Sequence, residues 1–259
     1  LLPAFWDKDN LPAYMTELIA QQGDDMFMKN EKGDYVGIRI GIDVTSKSQA
    51  QAKYSNMIVT SSTPYLWINA AEVAFLKAEY ELRWGTKDAA KALYEQAIRL
   101  SFEDKGAKDA DAYIADKTRK PAAYNDPLGN YSATALSSIT IAWEDDSAEG
   151  ADKAAIKERN LERIITQKWI AIFPLGVEAW SEHRRTGYPR LLPAVEDKSG
   201  GTVDLAQGAR RLPYPVEEYD KNNANLQDAV QMLNSESQGS RKGDGMGTRV
   251  WWDVKPYNN

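Results

Sequence analysis

The side chains with the widest chemical reach in this sequence are flat aromatic rings set among amides. Trp6, Tyr35, Tyr124, Tyr131 and Trp143 fall in or beside predicted loops, and Asn125, Asp126 and Asn130 accompany the middle group. A ring face stacks on the apolar face of a sugar, while amides and carboxylates exchange hydrogen bonds with its hydroxyls. The segment 122–146 concentrates these types and is the expected ligand loop. The plainer alternative is that these side chains anchor long loops to the body of the protein. Composition carries the same ambiguity. Eight Trp and thirteen Tyr stand against five Phe, which suits a sugar-stacking surface and equally a core between helices. Trp67, Trp84, Trp169 and Trp180 fall in predicted helices and are expected to be structural.

Catalytic constellations are weaker. Glu178 and Glu182 stand one helical turn apart and point from one face. Glycosidases use two carboxylates, but a pair on one turn rarely straddles a substrate, and Arg184 and Arg185 follow closely. A salt-bridged surface is the simpler reading. His183 is the single His. No Gly-x-Ser-x-Gly elbow accompanies it, so a hydrogen-bonded structural role is expected. No HExxH, Walker A or GxGxxG motif occurs. Asp7, Asp9 and Asn10, and again Glu144, Asp145 and Asp146, offer oxygens to a hard cation, but without the EF-hand pattern. A helix cap and a solvated acidic turn explain them. No cofactor and no metal ion is expected.

Charge and composition exclude further classes. The net charge of −6 over 259 residues gives no broad basic surface for nucleic acid. No apolar run of about 18 residues exists to cross a bilayer. There is no Cys, which removes disulfides, thiolate metal sites and cysteine nucleophiles from this chain. The chain opens Leu1-Leu2-Pro3 without a signal-like segment, so it is expected to be a processed product or part of a longer one.

The elements that must position these residues read as mostly helical. A first helix is expected over about 9–22. Residues 34–44 suggest a short irregular strand or extended loop. The run 45–63 holds eight Ser and Thr and reads as loop. Helices are expected over about 65–84 and 87–101, then a short one to about 118. The longest follows over about 152–172, then a short one over about 177–185 and a last one over about 223–233. Arg249 to Trp252 suggests a short terminal strand. The first of the central pair carries Leu66, Ala70 and Val73 on one side and Ala71, Phe75, Ala78 and Leu82 on another. A helix apolar on two sides must be packed between neighbours. Loop-rich regions lie at about 23–63, 102–150 and 187–222.

The pair 65–101 joins two helices at Gly85, with Ala78, Ala90 and Ala97 permitting close approach and Tyr94 filling the wedge. The spacing resembles a tetratricopeptide repeat, without the Pro that usually follows the second helix. A single repeat does not bury both its faces. Residues 167–191, QKWIAIFPLGVEAWSEHRRTGYPRL, add a second pattern. The stretches 64–79, PYLWINAAEVAFLKAE, and 211–226, RLPYPVEEYDKNNANL, add two more. In their order along the chain the three blocks resemble the SusD/RagB family of outer-membrane nutrient-binding lipoproteins, in its SusD-like branch.

The resemblance implies a mainly α fold: tetratricopeptide-like helix pairs forming an α-superhelical scaffold with long loops and a few short strands. It implies that residues 1–259 are one domain, the C-terminal portion of a protein about twice as long. It implies lipid anchoring on the extracellular face of the outer membrane through a segment outside this chain. It also implies capture of a glycan or other nutrient for a SusC-type TonB-dependent transporter. The function expected is therefore non-catalytic binding. The rivals are a helical polysaccharide hydrolase or lyase, and a protein-interaction scaffold without a small-molecule site. No binding motif of the family maps onto Trp6, Tyr35, Tyr124, Asn125, Asn130, Tyr131 or Trp143, so these candidates rest on residue type and loop placement alone.

Overall fold

The structure is a computed structural model, and it describes residues 27–57, 61, 64–237 and 241–254. The described residues are mainly helical. In chain order they form β1 (Phe27–Met28), α1 (Lys47–Lys53), β2 (Asn56–Met57), α2 (Ala70–Trp84), α3 (Lys87–Asp104), α4 (Ala110–Ile114), α5 (Lys153–Ala171), α6 (Gly176–Thr186), α7 (Val216–Lys221) and α8 (Asn223–Glu236). The two short strands pair antiparallel, Phe27 opposite Met57 and Met28 opposite Asn56. No described helix is long and apolar enough to cross a membrane. The expected helix over about 9–22 lies outside the described residues.

The described residues divide into two compact units: those within 27–38, 44–182 and 188–190 form the first, and those within 39–43, 183–187 and 191–254 the second.

In the first unit α2, α3 and α5 make the core. Side chains that accept backbone N–H groups start all three. Asn69 caps α2 through Glu72 N, Thr86 caps α3 through Ala89 N, and Asp152 caps α5 through Ala155 N. Asn69 also ties helices together, its Nδ2 donating to Ala171 O at the end of α5 at 3.0 Å. α2 packs along α3 and against α5. Ala78, Ala90, Tyr94 and Ala97 are fully buried between the pair, as the small-residue spacing required. Tyr94 meets Phe75 edge-on at 6.2 Å and donates its hydroxyl to Ile141 O at 2.6 Å. The expected stripe Leu161, Ile164, Ile165, Trp169 and Ile172 is buried throughout.

α2 departs from expectation on its other side. Ala71, Phe75, Ala78 and Leu82 are buried, but Val73 and the residues in line with it are exposed. Among the described elements, its neighbours lie on one face.

Other boundaries shift for local reasons. The helix expected from 65 starts at Ala70, because the Asn69 side chain caps it there. The Ser/Thr-rich run hides α1, whose N-cap Ser46 accepts from Gln49 N at 3.2 Å. α7 lies within the expected loop 187–222, with Glu217 and Glu218 in its first turn. Of the two readings for 34–44, loop is the one that forms.

In the second unit the loop-rich chain is held by ion pairs. Gly41 sits at φ +84°, where a Cβ would lie 2.8 Å from Val195 N. The neighbouring Ile40 O accepts from Val195 N at 3.0 Å. Buried Arg210 makes a two-pronged pair with Asp253, Nε to Oδ2 at 2.8 Å and Nη2 to Oδ1 at 2.7 Å. Arg184 and Arg210 exchange bonds to each other's carbonyls, both at 2.7 Å. The terminal strand expected at 249–252 is instead a turn, closed by Asp253 N on Val250 O and Val254 N on Trp252 O, each at 3.0 Å.

Candidate ligand-binding site

Residues 124–133 form a closed loop. Tyr124 and Ala133 bridge antiparallel through two backbone hydrogen bonds of 2.8 and 2.9 Å. Inside the loop, buried Asp126 is a hub. Its Oδ2 accepts from Asn130 N and Tyr131 N, both at 3.1 Å, and its Oδ1 accepts from the Tyr54 hydroxyl at 2.7 Å. Asp126 N donates to Ser132 Oγ at 3.0 Å. Burial pushes the Tyr54 phenol well above its ordinary value, and the Asp126 carboxylate pushes it the same way. Tyr54 therefore stays a proton donor at any physiological pH.

This hub sorts the candidates. Asn125 and Asn130 are exposed and Tyr131 is half-buried, so all three meet solvent on a loop whose backbone is pinned. Tyr124 is buried, and its hydroxyl donates to Gly37 O at 3.0 Å. Tyr35 is also buried, with Lys29 Nζ 5.2 Å from its ring centre. Trp143 is half-buried, its ring tilted on Tyr94 at 5.6 Å. Trp6 lies outside the described residues. Tyr124, Asn125, Asn130 and Tyr131 are thus brought together on one loop. Tyr35 belongs to the segment that loop is tied to, and Trp143 is seated on the α2–α3 pair.

The structural Trp residues need correction. Trp169 is buried as expected, but Trp67 is 83% and Trp84 73% exposed. Trp67 precedes the cap of α2, so helical spacing never governed it. Trp84 is the last residue of α2 and stands opposite its buried side.

Outside the loop, Glu144, Asp146, Glu178 and Glu182 pair with cations. Glu144 accepts from Arg159 Nε at 2.8 Å and from Arg163 Nη1 at 3.2 Å. The Arg159 bonds hold its carboxyl below the usual range. Asp146 pairs with Lys87. Among the described residues no group of three or more acidic or His side chains is placed to hold a metal ion. Glu178 and Glu182 both pair with Lys168 Nζ, at 3.2 and 3.0 Å, and Glu72 lies 3.6 Å from the same nitrogen. Lys168 and Glu182 are buried. The expected surface pairing with Arg184 and Arg185 missed this cluster, because the lysine comes from α5, ten residues upstream of Glu178. Desolvation raises the Glu72 carboxyl, and Lys168 opposes it.

The sequence matches the model of the SusD-like family, described as SusD and RagB outer membrane lipoprotein, over residues 10–253. The chain belongs to the SusD-like family. Solved members are close to it in structure. A SusD homologue from Bacteroides thetaiotaomicron has 45% identity and a TM-score of 0.79, covering 94% of this chain and 51% of its own. One from Bacteroides uniformis has 46% identity and a TM-score of 0.76, covering 94% and 48%. A chitin-binding SusD homologue from Flavobacterium johnsoniae has 38% identity and a TM-score of 0.76, covering 97% and 50%. The chain therefore spans about half the length of these solved relatives. No curated protein matches it. The mainly α class with a tetratricopeptide-like pair, α2 and α3, agrees with the family.

Proposed function

We propose that this chain is the C-terminal portion of a non-catalytic binding protein. That protein is lipid-anchored on the extracellular face of the outer membrane through a segment outside these residues. It captures a glycan or another nutrient and passes it to a SusC-type TonB-dependent transporter. The observation that carries the reading is membership of an outer-membrane lipoprotein family that includes a chitin-binding protein 38% identical to this chain. The loop 124–133 supports it locally. It offers two amides and an aromatic ring to solvent on a backbone fixed by Asp126, which lowers the ordering cost of binding. Tyr131 would stack on the ligand, and Asn125 and Asn130 would bond its hydroxyls. Handing ligand onward favours modest affinity and ready release.

Affinity electrophoresis of the full-length protein through gels containing soluble polysaccharides, glycol chitin first, tests this. Retardation in one gel is expected, with Tyr131→Ala or Asn130→Ala weakening it about tenfold, or ~1.4 kcal/mol. Retardation insensitive to both changes moves the site off this loop. Absence of retardation in every gel overturns glycan capture.

A further inference from the structure

Three carboxylates share one ammonium in the first unit. Glu72 comes from the first turn of α2, Lys168 from α5, and Glu178 and Glu182 from successive turns of α6. Lys168 Nζ stands 3.0 Å from Glu182, 3.2 Å from Glu178 and 3.6 Å from Glu72. The side chains of Lys168, Glu182 and Glu72 are 1%, 7% and 8% exposed, and that of Glu178 is 41% exposed. Water therefore hydrates Glu178. The two buried carboxylates are left with a single cation, and Glu72 stands farther from it.

Two like charges buried around one ammonium repel, and the less compensated of them is the one that takes a proton. The charges acting on Glu72 come from two other helices, Lys168 of α5 and Glu178 and Glu182 of α6. α3, packed along the same helix, buries Ala90, Tyr94 and Ala97 against it, and the Tyr94 hydroxyl is taken by Ile141 O. On α2 itself Glu79 pairs with Arg83. Burial raises the Glu72 carboxyl above its ordinary value of 4.5, Lys168 works against the rise, and Glu178 and Glu182 add to it. The helix N-terminus also favours the charged form, but burial is the largest influence.

We infer that these four groups form a proton-operated latch, which fastens α6 to α2 and α5 while Glu72 holds a proton and loosens α6 when that proton leaves. The inference stands apart from glycan capture and from loop 124–133. α6 is the part that yields. α2 and α5 are joined by packing and by the Asn69 bond to Ala171 O, whereas in α6 only Glu182 and Thr186 are buried. Ionised Glu72 repels Glu182, and opening of α6 carries that second charge to water. A carboxyl raised by folding stabilises the closed form fully below its unfolded value, and the contribution is lost as pH rises through the folded one. The latch therefore tightens toward acid, opposite in sign to the Arg-paired Glu144.

The test is hydrogen exchange of the full-length protein, read by mass spectrometry on α6 peptides and corrected for the intrinsic pH dependence of exchange, with α3 peptides as the control. From about pH 5 to about pH 8, opening of α6 should increase about fivefold relative to α3. Glu72→Gln keeps the shape of the protonated carboxyl and should hold α6 at its acid-side protection at both pH values. His183 also lies on α6, and this variant separates its titration from that of the latch. Infrared difference spectra between the same two pH values should show a protonated-carboxyl band that Glu72→Gln removes. If that variant does not fold, Glu182→Gln should lessen the pH dependence by taking away the buried like charge. Exchange of α6 that ignores pH in the unaltered protein overturns the proposal. So does an undiminished pH dependence in either variant, or the lack of a band that depends on Glu72.

Discussion

Asp126 is the residue on which the candidate loop depends. Three donors converge on its carboxylate, the Tyr54 hydroxyl and the Asn130 and Tyr131 amides. Removing it takes an acceptor from all three donors, each loss costing up to about 1–3 kcal/mol where the donor is shielded from water. Asp126→Ala should therefore lower stability by about 2–4 kcal/mol in urea titrations. It should also weaken ligand binding without touching an exposed side chain. Asp126→Asn should be mild, because its oxygen can face the two amides while its nitrogen donates to the Tyr54 oxygen. The candidates on this loop were legible as types, aromatic and amide between turn residues. The hub was named only as a companion, since Tyr54 sits in a Ser/Thr-rich run 72 residues away. Burial of Tyr124 and Tyr35 was not legible either. A loop residue and a loop anchor have the same local sequence, and only the Gly37 carbonyl tells them apart for Tyr124.

The elements followed their local signals where packing and propensity agreed. α2, α3, α5 and α8 carry helical spacing, and the first three have side-chain caps, so their centres could be read directly. α1 and α7 are short and lack an apolar face; α1 stands by its Ser46 cap and α7 is tied by the Tyr219–Asp244 bond, neither of which spacing encodes. The α5–α6 packing was partly hidden too. Glu178 and Glu182 were visible as one face of α6, but their cation was not. That cluster now predicts a large effect. Lys168→Met would take the Lys168 charge away from buried Glu72 and Glu182, and stability should fall by about 3–5 kcal/mol at pH 7. Lowering the pH should recover part of the loss, because burial raises the Glu72 carboxyl and its protonation removes that charge. Urea titrations at pH 7 and pH 5 read both. A loss equal at the two pH values would show that Lys168 acts by packing alone.

At the scale of the whole molecule, each of the two units has a carboxylate held below its ordinary range. In the first, Glu144 is held down chiefly by Arg159. In the second, burial works to raise Asp244, but bonds from Tyr219, Arg211 and Tyr214 N outweigh it. A carboxyl with a depressed folded pKa stabilises the fold above its unfolded value of about 4, and that contribution is lost as pH falls through the folded value. Thermal stability should be flat on this account above about pH 5 and decline below about pH 4. Glu144→Gln and Asp244→Asn should each lower the plateau and flatten the decline, as differential scanning fluorimetry across pH 7 to 3 would show. The second unit's ion pairs have another consequence, for the chain they enclose. Arg210 and Asp253 fasten positions 43 residues apart, and Arg211 and Asp244 fasten positions 33 apart inside them. Inside the inner clasp run α7 and α8. Lengthening a closed segment costs only in proportion to the logarithm of its size. An insertion inside the inner clasp is therefore expected to leave the chain on either side in register, provided Leu226 keeps its buried seat and Tyr219 its bond to Asp244.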